Sequence, residues 1–153
     1  KLVAGGWFSR VTDPALETYN LTRFVNEFSA SSPGVIRLLS ATATTAENAG
    51  SVTLQVSRFG GTSGAVAVQF STSTGGAAGT ASAGADYTTS TGTLSWAAGE
   101  GGYKTITVPI LQDTSAESPE TFTVTLSSPT GGATVPAANA KTAVTIRDDD
   151  SAP

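Results

Sequence analysis

The 153 residues of the chain, 39% of them hydrophobic and 13% charged, favour one ordinary domain or one domain with a short appendage. Because the sequence contains no cysteine and no histidine, it excludes disulfides, zinc fingers, haem ligation and catalytic triads built on Cys or His. The formal net charge of −4, with eight Lys and Arg residues, argues against a nucleic-acid partner, and no apolar run approaches the ~20 residues of a membrane-spanning helix.

The first 32 residues differ in hydrophobic period from the rest of the chain. Thr12-Asp13-Pro14 is typical of a helix N-terminus, and it predicts a helix over about residues 14–28. The helical spacing i, i+3, i+4, i+7 then relates four apolar residues: Leu21, Phe24, Val25 and Phe28. A strand through residues 21–28 stays open, because several residues of the segment are poor helix formers. We interpret residues 1–32 as an N-terminal extension or linker and residues 33–153 as the main domain.

From residue 33 onward, the period changes to the two-residue alternation of β-strands. Leu54 and Val56, for example, alternate with Thr53 and Gln55, so that one face of the segment is apolar and the other polar. Turns rich in Gly, Ser and Pro separate about seven such runs, one of which extends over residues 35–45. Short strands with one apolar face bury it only by packing two sheets or closing a barrel. The sequence therefore predicts an all-β fold, an antiparallel Ig-like β-sandwich of about seven strands.

Eight of the twelve acidic residues lie between these runs or directly after the last one. They come from four stretches of sequence: Glu47; Asp86; Asp113, Glu117 and Glu120; and Asp148, Asp149 and Asp150. Loops at one end of a sandwich converge, and two carboxylates about 5 Å apart repel by roughly 3 kcal/mol at an effective dielectric of about 20. The five cations after residue 32 are too few to neutralise eight such groups.

The spacing of these acids is compatible with two interpretations. Acidic residues in loops are commonly just solvated, and Asp is frequent in turns because its side chain bonds nearby backbone groups. Alternatively, a divalent cation holds the carboxylates together. Ca²⁺ accepts about six to eight oxygens in flexible geometry, whereas Mg²⁺ demands octahedral geometry and retains its waters. Eight carboxylates would serve roughly two to four Ca²⁺ ions, without an EF-hand pattern in the sequence.

Several fragments follow one another in a specific order between Gly34 and Asp150, although none is specific by itself. They are Glu47-Asn48-Ala49-Gly50, residues 79–87 with Asp86-Tyr87, Gly92-Thr93-Leu94-Ser95-Trp96, Gly99-Glu100, Ile110-Leu111-Gln112-Asp113, Glu117-Ser118-Pro119-Glu120-Thr121-Phe122, and residues 144–150. Together they resemble the Calx-beta domain, the calcium-binding sandwich of sodium–calcium exchangers and many bacterial surface proteins.

The resemblance implies a calcium site and its ligands. All eight acids would coordinate the metal, together with a backbone carbonyl near Ser115: Glu47, Asp86, Asp113, Glu117, Glu120, Asp148, Asp149 and Asp150. Where the family often has an acidic triplet, this chain has Gln112-Asp113-Thr114. The loss of two negative charges implies about two Ca²⁺ ions rather than four.

These observations predict a non-catalytic calcium-binding module of a larger secreted or cell-surface protein. Calcium would stiffen one end of the sandwich and the linker that follows, for adhesion or interaction. A composition dominated by Thr, Ser, Ala and Gly favours an extracellular location, and the resemblance points to a bacterial surface protein. The expected partners are calcium, neighbouring domains of the parent chain, and a protein or glycan ligand. Neither nucleic acid nor membrane insertion is expected.

Two alternative functions follow from other residues. A carbohydrate-binding module would stack exposed aromatic rings on sugars, and the candidates are Trp7, Tyr87 and Tyr103. A glycosidase would place two carboxyl groups, such as those of Glu117 and Glu120, about 5 to 9.5 Å apart in a cleft, with one raised pKa. Because a small sandwich with Thr-rich faces offers no obvious cleft, we predict that the protein is not an enzyme.

Overall fold

Residues 31–75 and 79–150 are described by the computed structural model, and they form eight β-strands in two facing sheets. The strands are β1 (Val35–Leu38), β2 (Thr42–Ala46), β3 (Ser51–Phe59), β4 (Val66–Thr74), β5 (Thr91–Trp96), β6 (Gly102–Pro109), β7 (Glu120–Ser127) and β8 (Lys141–Arg147). Short 3₁₀ helices, Glu47–Ala49 and Ala137–Asn139, precede β3 and β8. The predicted all-β sandwich is confirmed.

The two sheets differ in size and in the direction of one strand pair. One sheet has the order β1-β3-β6, and the other has the order β2-β8-β7-β4-β5. Every pair is antiparallel except β2 with β8, which run parallel and place Ala46 opposite Arg147. Because parallel strands end at the same edge of a sheet, the residues that follow β2 and β8 leave side by side. This pairing positions the acidic residues described below.

The run over residues 35–45, which alternation predicts to be one strand, is two strands in different sheets. The N–H of Leu39 still donates to the carbonyl of Gln55 in the three-stranded sheet (3.1 Å), whereas the carbonyl of Ala41 accepts from the N–H of Ala143 in the other sheet (2.9 Å). Thr142 donates its hydroxyl proton to the carbonyl of Ser40 between them. The chain therefore changes sheets over these residues, which makes eight strands rather than seven and creates the parallel pair.

The core lies between the sheets and is built from the apolar face of each strand. Val56 and Phe122 are fully buried, and full burial of such a side chain contributes about 1.5–3 kcal/mol. Tyr87 belongs to this core: it is 1% exposed, and its ring stacks on Phe122 with the centroids 4.2 Å apart. Tyr87 is therefore unavailable for stacking on a sugar. Tyr103 is exposed, and Trp7 lies outside the described residues.

Arg58 organises the end of the sandwich where β3 ends and β6 begins. Its side chain is 2% exposed, and no carboxylate within the described residues forms an ion pair with it. Its guanidinium instead donates to backbone carbonyls at distances from 2.9 to 3.1 Å, those of Pro33, Ser63, Gly64, Ala97 and Glu100. The planar fork of an arginine suits several acceptors at once. One side chain thus ties together the start of β1, the β3–β4 turn and the β5–β6 turn.

Replacement of Arg58 by lysine is expected to lower the free energy of unfolding by at least about 2 kcal/mol. An ammonium group has too few donors for these carbonyls, and each buried acceptor left without a donor costs about 1–3 kcal/mol. Equilibrium urea unfolding measures the change. The matched control is Arg147→Lys, an exposed position where the same substitution should stay within about 0.5 kcal/mol. Equal unfolding midpoints for the two variants would contradict this role of Arg58.

The segment before the sandwich lies outside the described residues. The helix predicted over residues 14–28 therefore lies outside the described residues. The division into an extension of residues 1–32 and a domain of residues 33–153 stays a prediction. Within the described ranges, no helix has the length and apolar character that crossing a membrane requires.

Candidate metal centre

The parallel pair of β2 and β8 brings two acidic stretches together. Glu47 directly follows β2, and Asp148, Asp149 and Asp150 directly follow β8. Glu47 opens the first 3₁₀ helix and is buried, with 7% of its surface exposed. A buried carboxylate requires compensating partners, because removal of a charge from water is costly.

The loop between β6 and β7 contributes the third stretch and is tied to the first two by hydrogen bonds. The backbone N–H of Asp113 donates to Oε1 of Glu47 (2.8 Å), and the backbone N–H of Glu117 donates to Oδ2 of Asp148 (2.7 Å). Glu120 begins β7, opposite Ile146 of β8. These contacts hold the loop at the edge where β2 and β8 end.

Asp86 joins the site from the segment before β5. Its carbonyl accepts from the N–H of Leu111 (2.9 Å), and its carboxylate accepts from the N–H of Ser82 (2.5 Å). The neighbouring Tyr87 forms a β-bridge with Ile110, just after β6. The four acidic stretches therefore share one end of the sandwich, the arrangement in which their carboxylates repel one another.

Six of the eight acids form two clusters. The first, which we call the Glu47 cluster, contains Glu47, Asp148 and Asp150. The second, the Glu120 cluster, contains Asp86, Glu117 and Glu120. In each cluster, one carboxylate oxygen from each residue lies within 4.8 Å of the others. A small cavity lies between the clusters and is lined by residues of both, together with Ser118 and Ile146.

The spacing of these oxygens fits a calcium ion. Ca²⁺ binds oxygens at about 2.3–2.6 Å, so two ligands of one ion lie no more than about 5 Å apart. One oxygen of the site also lacks a partner, since Oδ2 of Asp150 is buried without any hydrogen bond. Within the described residues, no Lys or Arg forms an ion pair with the clusters, and the one ion pair joins Lys104 to Glu100 elsewhere (2.8 Å). The donor set therefore suits a hard cation.

Burial and mutual repulsion raise the pKa values of several cluster carboxyls. For Glu120, burial, a hydrogen bond with Asp86 and the charges of Asp86, Glu117 and Glu47 raise the pKa from 4.5 to about 7. For Glu47, the hydrogen bond from the Asp113 N–H lowers the pKa, but burial and the neighbouring carboxylates outweigh it, and the pKa lies above its ordinary value. Protons thus relieve part of the repulsion when no metal does.

Asp148 behaves differently from its neighbours. Backbone N–H groups of Asp150 and Glu117 donate to its carboxylate at 2.9 and 2.7 Å, and these hydrogen bonds lower its pKa. Asp150 has a pKa raised by desolvation and by the charges of Asp148 and Asp149. Within the Glu47 cluster, hydrogen bonds therefore orient the Asp148 carboxylate and favour its ionised form.

Two of the acids proposed as ligands lie outside the clusters. The Asp113 carboxylate accepts from the N–H of Ser115 (2.6 Å), and the Asp149 carboxylate accepts from the side-chain amides of Asn48 (2.5 Å) and Gln112 (3.4 Å). Asn48 and Gln112 were not recognised as site residues from the sequence. Their positions next to Glu47 and Asp113 were the available signal, because neighbours of a ligand commonly orient the site.

Comparison with known proteins decides the family. A profile of the Calx-beta domain matches residues 30–150. The chain belongs to the Calx-beta family. No curated protein sequence matches the chain. Calx-beta domains are calcium-binding modules rather than catalytic ones. The two carboxylate clusters of this domain fit that chemistry, because carboxylate oxygens are ligands for Ca²⁺.

Solved structures agree with this assignment. The apo form of the Calx CBD1 domain is similar at 29% identity with a TM-score of 0.66, over 75% of this chain and 96% of that one. The calcium binding domain CBD12 of CALX1.1 is similar at 29% identity with a TM-score of 0.67, over 75% of this chain and 44% of that one. The Calx CBD2 domain has 21% identity and a TM-score of 0.68, over 78% and 90%, and supports the fold alone.

The raised pKa values predict that the metal-free domain becomes less stable as the pH rises. Glu120 binds its proton more tightly in the folded state than in the unfolded chain, so it favours folding below its ordinary value of 4.5, and this contribution is lost as the pH rises to about 7. Urea unfolding in chelator should therefore give a lower midpoint at about pH 8 than at about pH 5. Glu120→Gln should flatten the dependence. A midpoint that rises over this interval would contradict the prediction.

Proposed function

We propose that this Calx-beta domain binds Ca²⁺ through its two acidic clusters, and that the ions hold four distant stretches of chain together at one end of the sandwich. The observation that carries the proposal is the convergence of six carboxylates into two groups whose oxygens lie within 4.8 Å of one another, with no ion pair to a cation of the described residues. Two clusters support about two ions.

Each cluster has the composition that a calcium ion requires. Three carboxylates supply three to six oxygens, depending on whether each binds through one or both, and backbone carbonyls or water complete a shell of about six to eight. Glu47, Asp148 and Asp150 would serve one ion, and Asp86, Glu117 and Glu120 the other. The hydrogen bonds to Asp148 would orient it as a ligand in advance. Asp113 and Asp149 would act mainly on the surrounding loops.

The spread of the ligands along the sequence makes calcium a stabiliser of the folded state. The ligands come from positions as far apart as Glu47 and Asp150, so the unfolded chain does not present a preformed site. A ligand that binds only the folded state adds about 2.7 kcal/mol at a hundredfold excess over its Kd. Because the raised pKa of Glu120, about 7, keeps part of this carboxyl protonated near neutral pH, calcium binding would also release protons.

We further propose that the domain is a module of a larger secreted or cell-surface protein and takes part in adhesion or interaction. Asp148 and Asp150 follow the last strand directly, so their ligation would stiffen the chain where it leaves the sandwich. The similar CBD12 chains are longer than the part matched here, since the match covers 45% of one of them. A composition with three lysines and many Thr and Ser residues supports an extracellular location.

A catalytic use of Glu117 and Glu120 has less support. These two carboxyls share their cluster with Asp86, and three acids gathered around one point resemble a cation site more than an acid–base pair on either side of a sugar bond.

Calorimetric titration of the chelator-treated protein with CaCl₂ tests the proposal directly. We expect saturable binding of about two ions per chain and a melting temperature that rises with calcium, because binding stabilises only the folded state. Asp150→Asn and Glu120→Gln should each weaken one site by about tenfold or more, which corresponds to about 1.4 kcal/mol. Asp149→Asn should have a smaller effect, since Asp149 lies outside both clusters.

The matched control for this titration is Glu100→Gln. Glu100 is an acidic residue paired with Lys104 away from the clusters, and its neutralisation should leave calcium binding unchanged. The proposal is wrong if millimolar calcium produces neither heat nor a thermal shift in the unsubstituted protein, or if Glu100→Gln lowers the affinity as much as Asp150→Asn does.

A further inference from the structure

The exposed aromatic side chains of the three-stranded sheet lie at one end of its outward face. Phe59 of β3 lies opposite Val35 of β1, and the next outward row joins Arg37, Ser57 and Tyr103 across all three strands. Phe59 and Tyr103 are 42% and 69% exposed. Farther along the same face, β3 and β6 carry only short or polar side chains, those of Thr53, Gln55, Thr105 and Thr107. We call Val35, Arg37, Phe59 and Tyr103 the aromatic patch.

Two buried polar atoms at the aromatic patch lack hydrogen-bond partners. The guanidinium carbon of Arg37 lies 4.1 Å from the centroid of the Phe59 ring. Nε of Arg37 and the hydroxyl of Ser57 beside it are both buried without a hydrogen bond, and no acid of the described residues forms an ion pair with Arg37. Native structures leave few buried polar groups unpaired. The aromatic patch therefore resembles a surface that is covered by another segment, and that segment would supply a hydrogen-bond acceptor for Arg37.

The chain enters the sandwich at the same end of this face. The carbonyl of Ser32 accepts from the N–H of Ser63 (3.0 Å), and Ser32 lies so close to Gly61 that a Cβ on that glycine would overlap it. Gly61 is only two residues beyond Phe59. The described chain therefore begins beside the aromatic patch. Phe28 is three residues away from Ser31, within about 10 Å at full extension of the chain.

The sequence of the preceding segment complements the patch. It contains Leu21, Phe24, Val25 and Phe28, whose apolar side chains require a surface to bury them, and Glu27, whose carboxylate suits an unpaired arginine. A sugar is a poorer match, because the guanidinium of Arg37 already covers one face of the Phe59 ring.

We propose that residues 21–28 of the same chain dock on the aromatic patch, with their apolar side chains on Phe59 and Tyr103 and with Glu27 as the acceptor for Arg37. The docking depends on neither calcium nor the acidic clusters, which lie at the other end of β3 and β6. It gives the N-terminal segment a fixed place on the three-stranded sheet.

Paramagnetic labelling of the full chain tests the docking. Because the chain has no cysteine, a single Thr105→Cys substitution allows a nitroxide to be attached beside Tyr103 on the outward face. The matched control is Thr93→Cys, an exposed position on the outward face of the five-stranded sheet. We expect loss of the amide resonances of residues 21–28 with the label at position 105 and their retention with the label at position 93.

Two substitutions in the segment itself make the result specific. Phe28→Ser should restore the resonances that the label at position 105 removes, whereas Phe8→Ser should leave them suppressed, because Phe8 lies outside the docking segment. Retention of the resonances with both labels overturns the proposal. Loss that appears only when isotope-labelled chain is mixed with nitroxide-labelled chain also overturns it, because a second copy would then cover the patch.

Discussion

Repulsion between carboxylates is the strongest electrostatic constraint at the end of the sandwich where β2 and β8 end. Six acids from four stretches of chain gather in two clusters, and no cation of the described residues neutralises them. The fold relieves this repulsion in two ways: backbone N–H groups donate to Asp148, and the pKa of Glu120 is raised to about 7, so that it holds a proton more readily than a free carboxyl does. Oδ2 of Asp150 is left without a partner, and a metal ion would supply one.

The opposite end of β3 and β6 is held by a cation that the chain itself supplies. Arg58 is buried and donates to five backbone carbonyls, so it joins the turns around it without an added ion. The two ends of the sandwich thus differ in how their oxygen atoms are compensated. Carbonyl oxygens surround the guanidinium of Arg58 at one end, and carboxylates with no cationic partner among the described residues gather at the other.

The fold was predictable where neighbouring residues determine it. Alternation of apolar and polar side chains located the strands, and the order of fragments such as Glu47-Asn48-Ala49-Gly50 indicated the family that the profile match shows. Alternation did not reveal that residues 35–45 form two strands in different sheets. It shows which face of a strand is apolar, but it does not show which sheet the strand joins. It also gave no reason to expect the burial of Arg58, whose partners lie in turns far along the chain.

In the site, the order of residues was enough to predict the available ligands: eight acids near strand ends, and no cysteine or histidine to compete with them. How they are grouped is visible only in the folded chain, where Glu47 lies with Asp148 and Asp150, Glu120 lies with Asp86 and Glu117, and Asp149 accepts hydrogen bonds from amides instead. The grouping was not predictable because each cluster joins residues that are far apart along the chain. Periodicity depends on residues that are near one another in sequence, whereas the parallel pairing of β2 with β8 and the contact of Asn48 with Asp149 join residues 101 positions apart.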